Sequence, residues 1–166
     1  MSIESFFSLL GGLALFLYGM QMMSTNLEAA AGSRMKQILE RLTANRFLGV
    51  LVGAGITAII QSSSASVGIL QALAVSGLIG IDSAVFVLFG QNIGTCITAV
   101  LASIGANRDA KRTTLIHLMF NIIGTTVFTI VCIMIPFTSW VAAFTPSNPA
   151  AQIANVHTLF NLSLIH

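Results

Sequence analysis

Long uncharged blocks alternate with short polar interruptions along this chain. Residues 5–23 carry no charge over 19 positions, residues 83–104 none over 22 and residues 114–135 none over 22. At about 1.5 Å per helical residue these blocks reach about 28–33 Å, against a hydrocarbon core about 30 Å thick. Spanning helices are therefore expected at 5–23, 83–104 and 114–135, the last one stopped by Pro136. Between the first two lies an uncharged stretch, 47–81, interrupted by Gln61-Ser62-Ser63-Ser64-Ala65-Ser66. The 14 residues ahead of that interruption reach only about 21 Å as a helix, too short to span. Two solutions fit: one long kinked helix over 47–81, or a re-entrant hairpin whose two short arms meet at the serines. Gly49, Gly53, Gly55, Gly68 and Gly77 favour the hairpin, because small residues let its arms pack closely against protein. Backbone that leaves the helix at membrane depth is tolerated only inside protein or beside water.

The polar segments predict further elements. Thr25-Asn26-Leu27-Glu28 has capping-box spacing and predicts a new helix over 25–43. In it Leu27, Ala31, Met35, Ile38 and Leu42 recur at helical steps, with Arg34, Lys36, Gln37, Glu40 and Arg41 on other faces. That pattern fits an amphipathic helix lying at the membrane surface. Asp82 is expected as an N-cap. Inside 83–104 the run Gly90-Gln91-Asn92-Ile93-Gly94-Thr95 predicts an unwound break between two half-helices. Residues 105–113 read as a polar turn and 145–149 as a loop. Residues 150–166 begin a further apolar helix and stop inside it. His117, Phe120 and Asn121 recur in the same spacing as His157, Phe160 and Asn161, a weak internal repeat on two membrane helices.

Composition turns these elements into a class. Only 7% of the 166 residues are charged and 55% are hydrophobic, with a mean hydropathy of +0.92. Soluble domains carry about a quarter charged residues, so the expected fold is an all-α integral membrane protein. No basic stripe with interleaved aromatics exists, which argues against a nucleic-acid partner. Cys96 and Cys132 sit inside apolar runs and read as reduced packing residues, with no metal-ligand spacing around them. The first block follows Met1-Ser2-Ile3-Glu4, without a basic leader or a small-residue cleavage site, so it is expected to be retained. A serine hydrolase is disfavoured by the lack of Gly-x-Ser-x-Gly and of an acidic partner.

Candidate chemistry gathers at the two interruptions. A helix beginning at Ser62, Ser63 and Ser64 presents unpaired N–H groups and the positive end of its dipole, beside hydroxyls. A half-helix beginning near Thr95, with Asn92 and Gly94, would do the same, and together they predict an anion site. The opposite helix ends, near Ile60 and Phe89, offer free carbonyls. With Gln61, Ser66, Gln91 and Asn92 they form an oxygen ligand set for a hard cation such as Na⁺. Residues 47–81 and 83–107 contain no Lys or Arg to hold the anion and no carboxylate to relay protons, so a co-bound cation is the natural neutraliser. This pattern is the usual device of a secondary transporter. His117 and His157, alone on apolar helices, read as helix–helix hydrogen-bonders.

Gln61-Ser62-Ser63-Ser64, followed by Gly90-Gln91-Asn92-Ile93-Gly94-Thr95, resembles the type II sodium/phosphate cotransporter family over about residues 6–161. The resemblance implies a symporter of inorganic phosphate driven by Na⁺, in the cell membrane and without any other cofactor, with the serine motif at a re-entrant tip. It also implies two inverted repeats, each with its own serine motif, where this chain has one such motif. Residues 1–149 would then be a first repeat, completed by a missing second repeat or by an antiparallel homodimer. Lys and Arg divide almost evenly between the expected sides: Arg34, Lys36, Arg41 and Arg46 against Arg108, Lys111 and Arg112. So weak a bias places the surface helix in the cytoplasm only marginally, and is compatible with insertion both ways. A non-transporting membrane subunit or inactive half-transporter is the alternative reading.

Overall fold

The computed structural model of the chain describes residues 3–30, 37 and 41–165. Among them seven helices follow one another, without a strand: α1 (Ile3–Ala30), α2 (Arg46–Ile60), α3 (Ser63–Val75), α4 (Ile81–Ala102), α5 (Arg108–Met134), α6 (Phe137–Phe144) and α7 (Pro149–Ile165). Three contain stretches long and apolar enough to cross a membrane: Ile3–Met23, Ile81–Ala102 and Arg108–Met134. The fold is all-helical, and its membrane-length helices fall on the three long uncharged blocks.

Local chemistry sets most helix ends. Asn45 Oδ1 accepts from the Phe47 N–H at 2.9 Å and opens α2. Asn107 Oδ1 accepts from the Ala110 N–H at 2.9 Å and opens α5. Asn148 Oδ1 accepts from the Ala151 N–H at 3.1 Å and, with Pro149 in the first helical position, opens α7. Pro136 separates α5 from the short α6, an element for which the sequence pattern carries no expectation. α4 starts after Gly80, so Asp82 lies in its first turn and is not its cap. α5 begins at Arg108, inside the expected polar turn, and Arg112 lies 3.6 Å from Asp109 on its exposed first turns.

α1 does not stop at Thr25. It continues to Ala30, with the Thr25 hydroxyl donating to the Gln21 carbonyl at 3.0 Å and the Asn26 amide to the Met22 carbonyl at 2.7 Å. A hydroxyl that bonds back four residues sits inside a helix instead of capping a new one. The rest of the expected surface helix over 25–43 lies outside the described residues, apart from Gln37 and residues 41–43.

α4 is the spine. Its residues from Ala84 to Gln91 are buried in succession, and α2, α3, α5 and α7 pack around it. α2 lies parallel to α4 in close register. The Arg46 guanidinium stands 5.6 Å over the Phe86 ring, and Gly53 faces Val87 and Gln91. Further along, Gly94 faces Ala54 and Thr57. A Cβ at Gly53 would overlap the Val87 carbonyl, and one at Gly90 the Val50 carbonyl. On the other side Phe89 packs against Phe86, Phe128 and Phe160, with ring centroids 6.1, 5.8 and 4.7 Å away. These contacts are of the edge and tilted kinds that aromatic quadrupoles favour.

The expected break at 90–95 is absent: α4 runs helical from Ile81 to Ala102. Its glycines are occupied with the close crossing of α2, which leaves no room for an unwound loop. Half-helix ends near Phe89 and Thr95 therefore do not exist. The Phe89 carbonyl instead accepts a hydrogen bond from the Thr125 hydroxyl of α5 at 3.2 Å.

Candidate functional site at the serine turn

The break at the serines is real. Gln61 adopts a left-handed backbone conformation (φ 57°) and closes α2, its N–H donating to the Thr57 carbonyl at 2.7 Å. Ser62 is extended and caps α3, its hydroxyl accepting from the Ala65 N–H at 3.3 Å. The Ser66 N–H donates to the Ser62 carbonyl at 3.0 Å. The N–H groups of Ser63 and Ser64 point out of the first turn without a partner among the described residues. Free N–H groups and the positive end of the helix dipole favour negative charge at this point. The Ser62 and Ser64 hydroxyls lie 3.4 Å apart, and Ser63 and Ser64 are exposed.

One turn below, polar groups become buried. The Ser66 hydroxyl donates to the Ser62 carbonyl at 2.8 Å, and the Ser66 carbonyl accepts from Gln91 Nε2 of α4 at 3.0 Å. This bond ties α3 to the spine. It also leaves Gln91 Oε1 buried without a partner, as is the Thr57 hydroxyl on α2. An unpaired buried acceptor costs about 1–3 kcal/mol, so two of them beside one tip call for a ligand or a water.

A recess of about 260 Å³ opens beside the serines, lined by Phe16 of α1, Ser63, Ser64, Val67 and Gln71 of α3, and His157 of α7. Gln71 is held in place by donating to the Ala150 carbonyl at 3.1 Å. His157 is half-buried, and its imidazole has no hydrogen-bond partner among the described residues.

The expected site residues thus divide. Ser63 and Ser64 open onto the recess beside the capping Ser62, and Ser66 meets Gln91. Gln61 is exposed at the turn. Asn92 points to α7, its amide donating to Asn161 Oδ1 at 3.4 Å. Thr95 bonds within its own helix, to the Gln91 carbonyl at 2.9 Å, and Gly94 packs beneath Thr57. Thr57 carries no expectation from the sequence, and His157, expected to be a helix–helix hydrogen-bonder, has no hydrogen-bond partner for its ring among the described residues. Thr57 could have been found as the single hydroxyl on the first apolar arm. For His157 the repeated motif gives no such signal, since His117 in the other copy lines no part of the recess.

Membrane-length apolar helices folded around a polar turn between two shorter helices define a multi-pass membrane protein. The family model described as Na+/Pi-cotransporter matches residues 15–164, and the chain belongs to that family. The uncharacterized protein YqeW of Bacillus subtilis is 38% identical over 129 residues, covering 75% of this chain and 40% of that protein. Human sodium-dependent phosphate transport protein 2B is 43% identical over 82 residues, covering 47% of the chain and 12% of that protein. Its human counterpart 2C is 42% identical over 82 residues, covering 47% of the chain and 14% of that protein. The chain thus matches less than half the length of each of these relatives. No solved structure matches it significantly.

Proposed function

We propose that this chain forms one repeat of a sodium-coupled symporter of inorganic phosphate. The observation that carries the reading is the N-terminus of α3. There a serine-capped helix offers the free N–H groups and hydroxyls of Ser63 and Ser64 to a recess, between apolar helices and without a Lys or Arg among the described residues that line it. Neutral dipoles hold an oxyanion by several weak charge-assisted bonds and let it go again, which transport requires. The 15 residues of α2 and 13 of α3 reach about 22 and 20 Å, so the pair enters the bilayer and turns back as a re-entrant hairpin. Na⁺ binds beside the tip, where Gln91 Oε1 and the Thr57 hydroxyl are buried oxygens without partners. The cation then offsets the charge of the phosphate.

Labelled phosphate should enter proteoliposomes containing the full chain several-fold faster under an inward Na⁺ gradient than in choline. Equal rates in the two salts would refute sodium coupling, and no uptake in either would leave the non-transporting half-transporter standing. A second, oppositely oriented repeat faces the serines in this reading, supplied by a further segment or by a second copy of the chain. Cysteine placed at Asn107 and labelled from each side of sealed vesicles separates the two. Labelling from one side alone excludes the second copy.

A further inference from the structure

We infer that His157 is a direct contact for the phosphate in the serine recess, donating a ring N–H to an oxyanion oxygen opposite Ser63 and Ser64. The inference rests on the reading that this recess holds phosphate, and adds a residue from a different helix. Its grounds are geometric. The imidazole lines the same recess as Ser63 and Ser64 and has no other partner among the described residues. The helix that carries it is fixed on three sides. Asn161, one turn on, accepts from Asn92 of α4 at 3.4 Å and donates its own amide to the His157 carbonyl at 2.8 Å. Phe160 is wholly buried, with ring centroids 4.7 Å from Phe89 and 4.9 Å from Phe128. Gln71 of α3 holds the start of the same helix through the Ala150 carbonyl. A ring carried on a helix held this firmly, lining the recess beside a helix N-terminus with no partner among the described residues, completes a shell of donors that otherwise comes from one helix alone.

The other copy of the motif shows that this placement does not follow from the motif itself. His117, on α5, stands 4.0 Å from the Cys96 thiol of α4 and lines no part of the recess. In the recess the imidazole is the one ionisable side chain, the rest being Phe16, Ser63, Ser64, Val67 and Gln71. The helices packed on α7 are α3, α4, α5 and α6; their charged and titratable groups are Asp82, in the first turn of α4, and Cys96, with Arg108, Asp109, Lys111, Arg112, His117 and Cys132 on α5. Neither aspartate lines the recess, so among the described residues no carboxylate competes there with phosphate for the ring.

The test uses the full chain in detergent and in proteoliposomes. Diethylpyrocarbonate modifies accessible imidazoles, and site-resolved mass spectrometry follows His157 and His117 separately. Inorganic phosphate with Na⁺ should slow modification of His157 at least about fivefold and leave His117 unchanged; equal rates with and without phosphate would overturn the contact. In transport, His157→Leu should raise the KM for phosphate about tenfold, the weight of one hydrogen bond to a charged group. His157→Gln, which keeps a donor, should stay within about threefold of the parent. A His157→Leu variant with an unchanged KM, alongside a Ser63→Leu variant that has lost uptake, would reject His157 and keep the serine site. Uptake that survives Ser63→Leu would reject the serine site itself. Should His157→Leu fail to fold, the protection measurement on the unmodified protein decides alone.

Discussion

Two polar segments interrupt apolar sequence in this chain, at 61–66 and at 90–95, and the fold treats them in opposite ways. At the first the helix ends. Gln61 turns left-handed, Ser62 extends, and a new helix starts with N–H groups to spare. At the second the helix continues without a break, and its polar side chains are spent on structure. Thr95 bonds within its own helix, Gln91 reaches α3 and Asn92 reaches α7. The difference is in where the glycines go. Gly90 and Gly94 are one turn apart on the face that receives α2, where Gly49 and Gly53 are also one turn apart. Small residues spaced by four on both partners let two backbones touch, and a touching helix must stay helical. The serine segment has no such partner and carries the hydroxyl that an N-cap needs.

The largest effect comes from breaking the second segment. Gly90→Val places a side chain on the Val50 carbonyl, with no flexible group there to give way. It should destabilise the protein by about 3 kcal/mol or more, as overpacking against rigid neighbours does. The measurement is the thermal midpoint in detergent. Gly55→Ala is the control, because an added Cβ there meets nothing within 4 Å. Alanine is also the better helix former by about 1 kcal/mol, so that variant should hold or gain stability. Equal midpoints for Gly90→Val and the parent would remove the contrast between the segments.

This pair of segments also marks how far the sequence could be read. Membrane class and the three long helices follow from run length and charge, which act locally and need no partner. The serine turn was legible for the same reason: two arms too short to span must meet somewhere, and hydroxyls gather at helix starts. Continuity at 90–95 was not legible from composition, because glycine with carboxamides suits an unwound loop and a tight crossing equally well. The spacing of four, shared by 49/53 and 90/94, was the signal for the crossing. At Thr25 a local rule failed in the reverse sense, since the hydroxyl satisfied itself against Gln21 and the helix went on. At the candidate site, the helix start at residues 62–64 was legible from the motif. The place of His157 beside them was not, because it depends on where α7 docks.

The smallest effect tests whether the serine cap differs from an ordinary one. Ser62 and Asn107 both cap helices, with acceptor distances of 3.3 and 2.9 Å. Removing either should cost about 1 kcal/mol of stability. Only Ser62, in the proposed site, stands beside bound phosphate. Ser62→Ala leaves the Ala65 N–H without its acceptor, and an anion at the tip takes over part of that role. Saturating phosphate should therefore restore part of the midpoint lost in Ser62→Ala and none of that lost in Asn107→Ala. KM for phosphate should shift in the first variant and hold in the second. Identical responses to phosphate in the two variants would mean that the serine segment ends a helix and does nothing more.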